Sequence, residues 1–157
     1  MPNKSKAKAK VTSSKAHPVK KAKKKAACPV FKVSKARTPE HHALLKQAEK
    51  EGHSLKGLKR LTDKQAIRRN RRRSQAPIRA KKRKASAAAG IVDKAGGPGS
   101  GYNYDEFPYA STHQGGTGAT VKRTSETDNQ DAGRDLGAFY KKRKIGEGDS
   151  FDISLTK

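Results

Sequence analysis

The stretch YDEFPYASTHQGGTGATVKRTSETDNQDAG, residues 104–133, contains in order the signals of a strand, a turn, a second strand and the start of a helix. Aromatic and β-branched residues predict strands on both sides of QGGTG, whose glycines predict a turn. The polar segment SETDNQDAG is typical of the first turn of a helix. Together with amphipathic LGAFYKKR and the strand-like DSFDISL that follow, this order predicts a compact α+β fold.

The residues before this stretch predict a helical lead-in. CPVFKV, residues 28–33, has the character of a short strand. In TPEHHALLKQAEKEG, Thr38 is placed to cap a helix whose first residue is Pro39. Thr62 or Asp63 is predicted to cap a second helix that runs into the arginines of RRNRRR.

Composition divides the chain into an arm and one domain. Residues 1–27 are rich in Lys and Ala and offer little to bury, so we expect a disordered basic arm. Residues 28–157 are interpreted as a single domain. Within it, the low-complexity residues 80–101 end in Gly, Pro and Ser and predict a flexible linker or loop.

The charge of the chain points to polyanions as partners. Residues 1–95 carry 30 basic and 5 acidic side chains, whereas residues 96–157 carry 8 and 9, and the whole chain has a net charge of +24. Such a surplus favours nucleic acid and disfavours acidic or neutral small-molecule partners. Residues 1–95 are therefore expected to bind a polyanion, and residues 96–157 to have a function that is compatible with nearby carboxylates.

Other features exclude several classes of site and location. Cys28 is the only cysteine, which rules out an intramolecular disulfide and a multi-cysteine metal site. No segment approaches the ~18 apolar residues of a membrane span, and MPNKSKAKAK lacks the apolar region of a secretory signal. We therefore expect a chain that is cytoplasmic as synthesised, and that reaches the exterior, if it is exported, without a signal peptide. His41, His42 and His53 lack a zinc-binding spacing and are interpreted as surface or half-buried residues.

Two acidic clusters interrupt the basic sequence. Asp105 and Glu106 are neighbours on a predicted strand, so their side chains leave it on opposite faces unless Pro108 or a bulge bends the backbone. A solvated turn with ordinary acids is the alternative interpretation.

The second acidic cluster lies at the start of the last predicted helix. Glu126, Asp128, Asn129 and Asp131 offer hard oxygen ligands of the kind that suit Mg²⁺, Mn²⁺ or Ca²⁺. A helix N-terminus with caps and favourable charges would explain the same residues without a metal.

Three segments carry a resemblance to a known family. YDEFPYASTHQGG, DNQDAGRDLGAFY and IGEGDSFDI resemble the DEYPFAST-QGG, EN-x-x-QG and GD-F elements of the NucA/NucB deoxyribonucleases. The upstream TPEHH helix and the LTD and NR segments are similar to the lead-in of many members. The resemblance implies a small ββα-metal-type nuclease domain that cuts DNA with little sequence preference and uses one divalent cation, Mg²⁺ or Mn²⁺.

The resemblance also implies roles for particular residues. Asp105 and Glu106 match its acidic pair, and Asn129 matches an Asn that holds the metal, with Asp128 and Glu126 as further candidate ligands. Which of Asp105 and Glu106 is the general base and which the ligand stays open. The cations expected to contact substrate phosphates are Lys122, Arg123, Arg134, Arg71 and Arg72.

The resulting prediction is a DNA endonuclease that acts as a toxin or effector and has a cognate immunity protein. Two other functions fit the composition. One is a non-catalytic basic nucleic-acid-binding protein built on a nuclease-like domain, and the other is a ribosome- or RNA-associated basic protein.

Overall fold

A computed structural model describes residues 27–89 and 101–157, and the predicted basic arm before residue 27 lies outside these ranges. The described elements follow each other as β1 (Val30–Ser34), α1 (Pro39–Lys50), β2 (Leu58–Lys59), α2 (Lys64–Ala89), β3 (Tyr102–Phe107), β4 (Thr120–Ser125), α3 (Glu126–Arg143) and β5 (Ser150–Thr156). The strand, turn, strand, helix and strand of residues 102–156 confirm the predicted α+β fold.

A three-stranded sheet brings the first and last described strands together. β5 is its central strand, with β1 parallel on one side and β2 antiparallel on the other. In β1 and β5 alternate side chains are buried, Phe31 with Val33 and Phe151 with Ile153. This period of two is expected for strands that turn one face to a core.

A separate antiparallel ribbon carries the acidic pair. β3 and β4 pair without interruption from Tyr102 opposite Ser125 to Phe107 opposite Thr120, and α3 starts directly after β4. Ser125 caps α3 by accepting a hydrogen bond from the backbone N–H of Asp128. The ribbon and α3 together form a ββα unit, as the fold prediction requires.

The core lies between the sheet, the ribbon and the helices α1 and α3. One face of α3 buries Asp128, Ala132, Leu136 and Tyr140, which are spaced four residues apart. Aromatic rings join the elements, since Tyr140 and Phe139 both contact Phe151 edge-on.

α2 is a long basic helix that Asp63 caps by accepting hydrogen bonds from the backbone N–H groups of Gln65 and Ala66. The helix extends to Ala89, well into the segment for which the sequence predicts a flexible linker. Lys, Arg and Ala are good helix formers, which accounts for this extension. Residues 90–100 of that segment are outside the described ranges. Across those ranges no helix combines the length and apolar character that crossing a membrane demands.

The loop after β3 is fastened to α2 by one side chain. The Asn70 amide donates to the backbone carbonyls of Ala110 and Thr112. Gly115 packs so closely on this loop that a Cβ atom would lie 2.2 Å from the carbonyl oxygen of Tyr109. Glycine is therefore required where the QGG segment passes the end of β3.

Candidate active site

A cavity of about 500 Å³ lies where the ββα unit meets α1 and α2. Asp105 and Glu106 of β3 line it together with Asn129 from the first turn of α3. The structure thus brings together the three residues that the resemblance matches to an acidic pair and an Asn. Arg60, which directly follows β2, and Arg71 and Arg79 of α2 line the same cavity. Cations therefore lie next to the carboxylates.

Asp105 is fixed by a buried hydrogen-bond chain. His41, only 2% exposed, has its Nδ1 2.6 Å from Oδ2 of Asp105 and its Nε2 2.9 Å from the Tyr109 hydroxyl. Burial raises the pKa of Tyr109 well above its usual range, so the phenol keeps its proton. The imidazole of His41 is thus held at both ring nitrogens, by Asp105 on one side and by Tyr109 on the other. The other carboxylate oxygen accepts the backbone N–H of Glu106 at 2.9 Å.

Glu106 is buried against α2 instead. Its Oε2 accepts a hydrogen bond of 3.1 Å from the Gln75 amide, and Arg71 Nε lies 3.5 Å from Oε1. Arg79 donates to the Gln75 carbonyl oxygen, which turns the NH₂ group of Gln75 toward Glu106. Burial raises the pKa of Glu106 above its usual range, while the Gln75 hydrogen bond and the Arg71 charge oppose the rise.

The two neighbouring acids reach one cavity without a bulge. β3 keeps a regular register through both residues, so Asp105 meets His41 of α1 and Glu106 meets Gln75 of α2 on the two faces of the strand. Among the described strands β3 pairs with β4 alone. The other edge of β3 has no strand beside it among the described residues, and side chains from both faces of β3 line the cavity.

The remaining predicted metal ligands do not line this cavity. The Asp128 carboxylate accepts the backbone N–H groups of Glu40 and His41 at 3.1 and 3.0 Å, which ties it to the start of α1. Glu126 accepts a hydrogen bond from Gln130, one turn further along α3. The 3.6-residue period of the helix explains the separation, since Asp128 is on the buried stripe of α3 and Asn129 lies about 100° away from it.

Asn129 keeps its carboxamide available. Its side chain makes no hydrogen bond to any other residue within the described ranges, although it lines the cavity. An amide oxygen in this position can serve as a ligand for a hard cation or accept a hydrogen bond from bound water.

Only some of the predicted phosphate-binding cations line the cavity, as with the predicted metal ligands. Arg71 lines the cavity, whereas Lys122, Arg123, Arg134 and Arg72 are not among the lining residues. Arg123 stacks on the Tyr102 ring at 4.0 Å, and Arg134 forms an ion pair with Asp131 on the surface of α3. Arg72 is exposed on α2.

Sequence reasoning missed the role of the histidines. His41 and His42 are buried, so the prediction of surface or half-buried positions is wrong for these two residues. A signal was present, because His41 continues the spacing of Leu44, Leu45 and Ala48, the apolar face of α1. The absence of a zinc-binding spacing says nothing about burial, whereas this periodicity predicts it.

The cavity offers oxygen donors of the kind that hard divalent cations bind. Within the described residues no group of three or more His, Cys, Asp or Glu side chains is arranged to hold a metal ion. Mg²⁺, however, typically takes one or two carboxylates and completes its shell with water and substrate phosphates. The carboxylates of Asp105 and Glu106 and the Asn129 amide match that sparse pattern, and each carboxylate oxygen retains a free lone pair beside its hydrogen bond.

A comparison with models of protein families gives a match. The family model described as deoxyribonuclease NucA/NucB matches residues 47–154 of the chain, a range that includes the acidic pair and Asn129. No curated protein matches it. His41 lies before the matched range.

Proposed function

This chain belongs to the NucA/NucB deoxyribonuclease family, and we propose that it is a divalent-cation-dependent endonuclease that hydrolyses DNA phosphodiester bonds with little sequence preference. The observation that carries the proposal is that Asp105, Glu106 and Asn129 line one cavity in a protein with a net charge of +24. A carboxylate pair in such a protein would repel a phosphate by itself, and its presence is understandable where a cation is shared with the substrate.

Glu106 is the proposed general base. A base is most effective when its pKa approaches the operating pH, and burial moves the pKa of Glu106 in that direction. Its contact with Arg71 is long, at 3.5 Å, so the Oε1 atom remains free to accept a proton from an attacking water. Gln75 holds the other oxygen and thereby orients the carboxylate.

Asp105 and Asn129 are the proposed ligands of the cation. His41 holds Asp105 in a single orientation, which suits a ligand better than a group that must exchange protons. When bound, Mg²⁺ or Mn²⁺ stabilises the negative charge that develops on the phosphate and on the leaving oxygen. The proposal thereby gives Asp105 and Glu106 different roles, a choice that the sequence leaves open.

Weak sequence preference follows from the kinds of contact available. Arg71, Arg72 and the other basic side chains along α2 are cations that contact phosphates, which are the same for every base pair. The proposed substrate is therefore the DNA backbone.

Nicking of supercoiled plasmid tests the proposal. The wild-type protein is expected to cut with Mg²⁺ or Mn²⁺ and not with EDTA. Asp105→Ala, Glu106→Gln and Asn129→Ala should each lower the rate by at least about 10²-fold. Gln130→Ala, which alters an exposed amide next to Asn129, serves as the matched control.

Two results would contradict the proposal. A wild-type protein that shifts DNA in a gel but leaves it intact would indicate a non-catalytic binding protein. Preferential binding of structured RNA, unaffected by the three substitutions, would indicate an RNA-associated protein.

The toxin or effector role and its immunity protein stay predictions. Growth arrest on expression of the wild-type chain, but not of Glu106→Gln, would support the toxin role.

A further inference from the structure

Arg60 lines the same cavity and has no part in the proposed function so far. Its backbone is held on both sides, because its N–H donates to the Asp149 carbonyl at 2.9 Å and its carbonyl accepts the N–H of Gly148 at 2.8 Å. An isolated β-bridge to Thr112 adds a further tie. The backbone of Arg60 is thus held by two separate segments of the chain, around Asp149 and around Thr112.

The side chain of Arg60 is fixed as well. Its guanidinium carbon lies 4.0 Å from the centre of the Tyr140 ring, and Nη1 donates to the Ser111 carbonyl at 3.2 Å. The Tyr140 hydroxyl is in turn 3.3 Å from Ser111 Oγ. Stacking on an aromatic face holds a planar guanidinium while leaving its edge open to a planar partner.

The charge of Arg60 is unneutralised. Among the described residues no carboxylate lies within ion-pair distance of it, whereas Arg71 lies beside Glu106 and Arg134 beside Asp131. Its Nε is buried and has no hydrogen-bond partner in the described ranges. Buried donors are nearly always paired, so the described residues leave one donor of this guanidinium unsatisfied.

We propose that Arg60 is a phosphate-binding residue, whose guanidinium contacts the non-bridging oxygens of a phosphodiester held in the cavity. Two parallel N–H groups of a guanidinium match the oxygens of a phosphate, and such charge-assisted hydrogen bonds are about twice as strong as neutral ones. Because Tyr140 and Ser111 already restrict the side chain, little rotamer freedom is lost on binding. This inference rests on the proposed function, since it assigns a further contact to the same site.

Kinetics with a small substrate separates this contact from general attraction to DNA. Bis-p-nitrophenyl phosphate has one phosphate and cannot span the basic surfaces, so its turnover reports the cavity alone. Arg60→Gln should lower kcat/KM by about 10²-fold for this diester and for plasmid, as expected when one donor to a reacting phosphate is removed. Arg60→Lys, which keeps the charge but not the fork, should fall between Arg60→Gln and the wild type.

Arg37→Gln is the matched control. Arg37 is an exposed arginine paired with Asp135, and its removal should change kcat/KM by no more than about twofold. Arg60→Gln and Arg60→Lys that both retain wild-type kcat/KM would overturn the proposal. Equal losses of kcat/KM in the two variants, accompanied by equally lowered melting temperatures, would assign Arg60 a structural role and also overturn it.

A titration that needs no turnover tests the contact directly. In the Glu106→Gln variant with Mg²⁺ and about 0.3 M salt, where no turnover is expected and exposed charges are screened, the NMR signal of the Arg60 Nε–H is followed in the ¹⁵N-labelled full chain and assigned by its absence when Arg60→Lys is added. The thymidine dinucleotide TpT should shift this signal, and its uncharged methylphosphonate analogue should not. Equal shifts with both compounds, or none with TpT, would refute the role of Arg60. A wild-type protein that cuts neither plasmid nor diester would instead refute the proposed function, and the titration would still decide the fate of Arg60.

Discussion

Glu106 has neighbours that act on its pKa in opposite directions. Burial raises the pKa above the usual 4.5, and the hydrogen bond from Gln75 and the positive charge of Arg71 lower it. The two neighbours therefore offset only part of the rise in pKa that burial causes. Replacing either neighbour should change the pKa of Glu106 and with it the pH at which the proposed base works.

Removing Arg71 should shift the pH dependence of cutting upward. Arg71→Gln takes away a charge that lowers the pKa of Glu106, so the acid limb of kcat/KM is expected at higher pH than in the wild type. The pH profile with the small diester measures this shift. Arg73→Gln, an exposed arginine on the same helix, should leave the limb in place. A limb that moved to lower pH in Arg71→Gln would contradict Glu106 as the base.

Replacing Glu106 should stabilise the fold at neutral pH while abolishing cutting. Because the pKa of Glu106 is raised in the folded state, its contribution to stability is present below the unfolded pKa and is lost as pH rises through the folded one. Gln does not ionise, so Glu106→Gln does not lose this stability as the pH rises. The free energy of unfolding by urea should therefore favour the variant more at pH 7 than at pH 4.

The same substitution at an exposed position provides the comparison. Glu49→Gln on α1 should give no such pH-dependent gain. A Glu106→Gln variant that is less stable at pH 7 than at pH 4, relative to wild type, would show that the carboxylate is favoured by its surroundings, contrary to the direction of its pKa.

The sequence could single out the acidic pair but not its partners. Asp105 and Glu106 stand out because they follow a nearly acid-free basic region. Their environments depend on His41, 64 positions before Asp105, and on Gln75, 31 positions before Glu106. No local pattern reports contacts over such separations, so the roles of the two acids become distinguishable only in the folded chain.

At the scale of the elements, α1 and α3 cap each other. Thr38 occupies the N-cap position of α1 but makes no capping hydrogen bond with its side chain, which donates to the Ser34 carbonyl instead. Asp128 of α3 satisfies the N–H groups of Glu40 and His41. Glu40 in turn accepts the N–H of Ser125 at the start of α3, at 2.7 Å. Backbone N–H groups at the start of each helix, which have no partner within their own helix, are thus satisfied by a carboxylate from the other helix.

Asp128→Ala should cost stability more than chemistry. Loss of a carboxylate cap at a helix N-terminus costs about 1–2 kcal/mol, which urea denaturation would measure. Asp131→Ala, nearby on α3, should change the free energy of unfolding by less than about 0.5 kcal/mol. Abolished cutting in Asp128→Ala with unchanged stability would restore the sequence-based view of Asp128 as a metal ligand.

Helix starts were more predictable than the ends and the short strands. Pro39 and Asp63 have local chemistry that marks the first turn, and α1 and α2 begin next to them. The end of α2 was not foreseen, because Ala- and Lys-rich sequence is compatible with helix and linker alike. β2 has only two residues, Leu58 and Lys59, and exists because it pairs with β5, which a local pattern cannot show.

At the scale of the whole molecule, binding and chemistry should be separable. Residues 1–27 contain ten lysines and no acidic residue, whereas the proposed catalytic groups belong to β3 and α3. Deleting residues 1–27 should weaken DNA binding and flatten its salt dependence, by about 0.9 in the log–log slope for each phosphate that these lysines neutralise. Turnover of the small diester should be retained. A deletion that abolished diester turnover at low salt would show that these residues belong to the catalytic domain.

The position of β5 has a consequence for when the proposed nuclease becomes active. Its pairing with β1 joins residues 122 positions apart, such as Val30 and Asp152, and β5 is the middle strand, so neither β1 nor β2 has its partner before residues 150–156 exist. The three-stranded sheet therefore cannot form until residues 150–156 have been translated. DNA near the ribosome would then meet the proposed nuclease activity only after β5 has paired with β1 and β2.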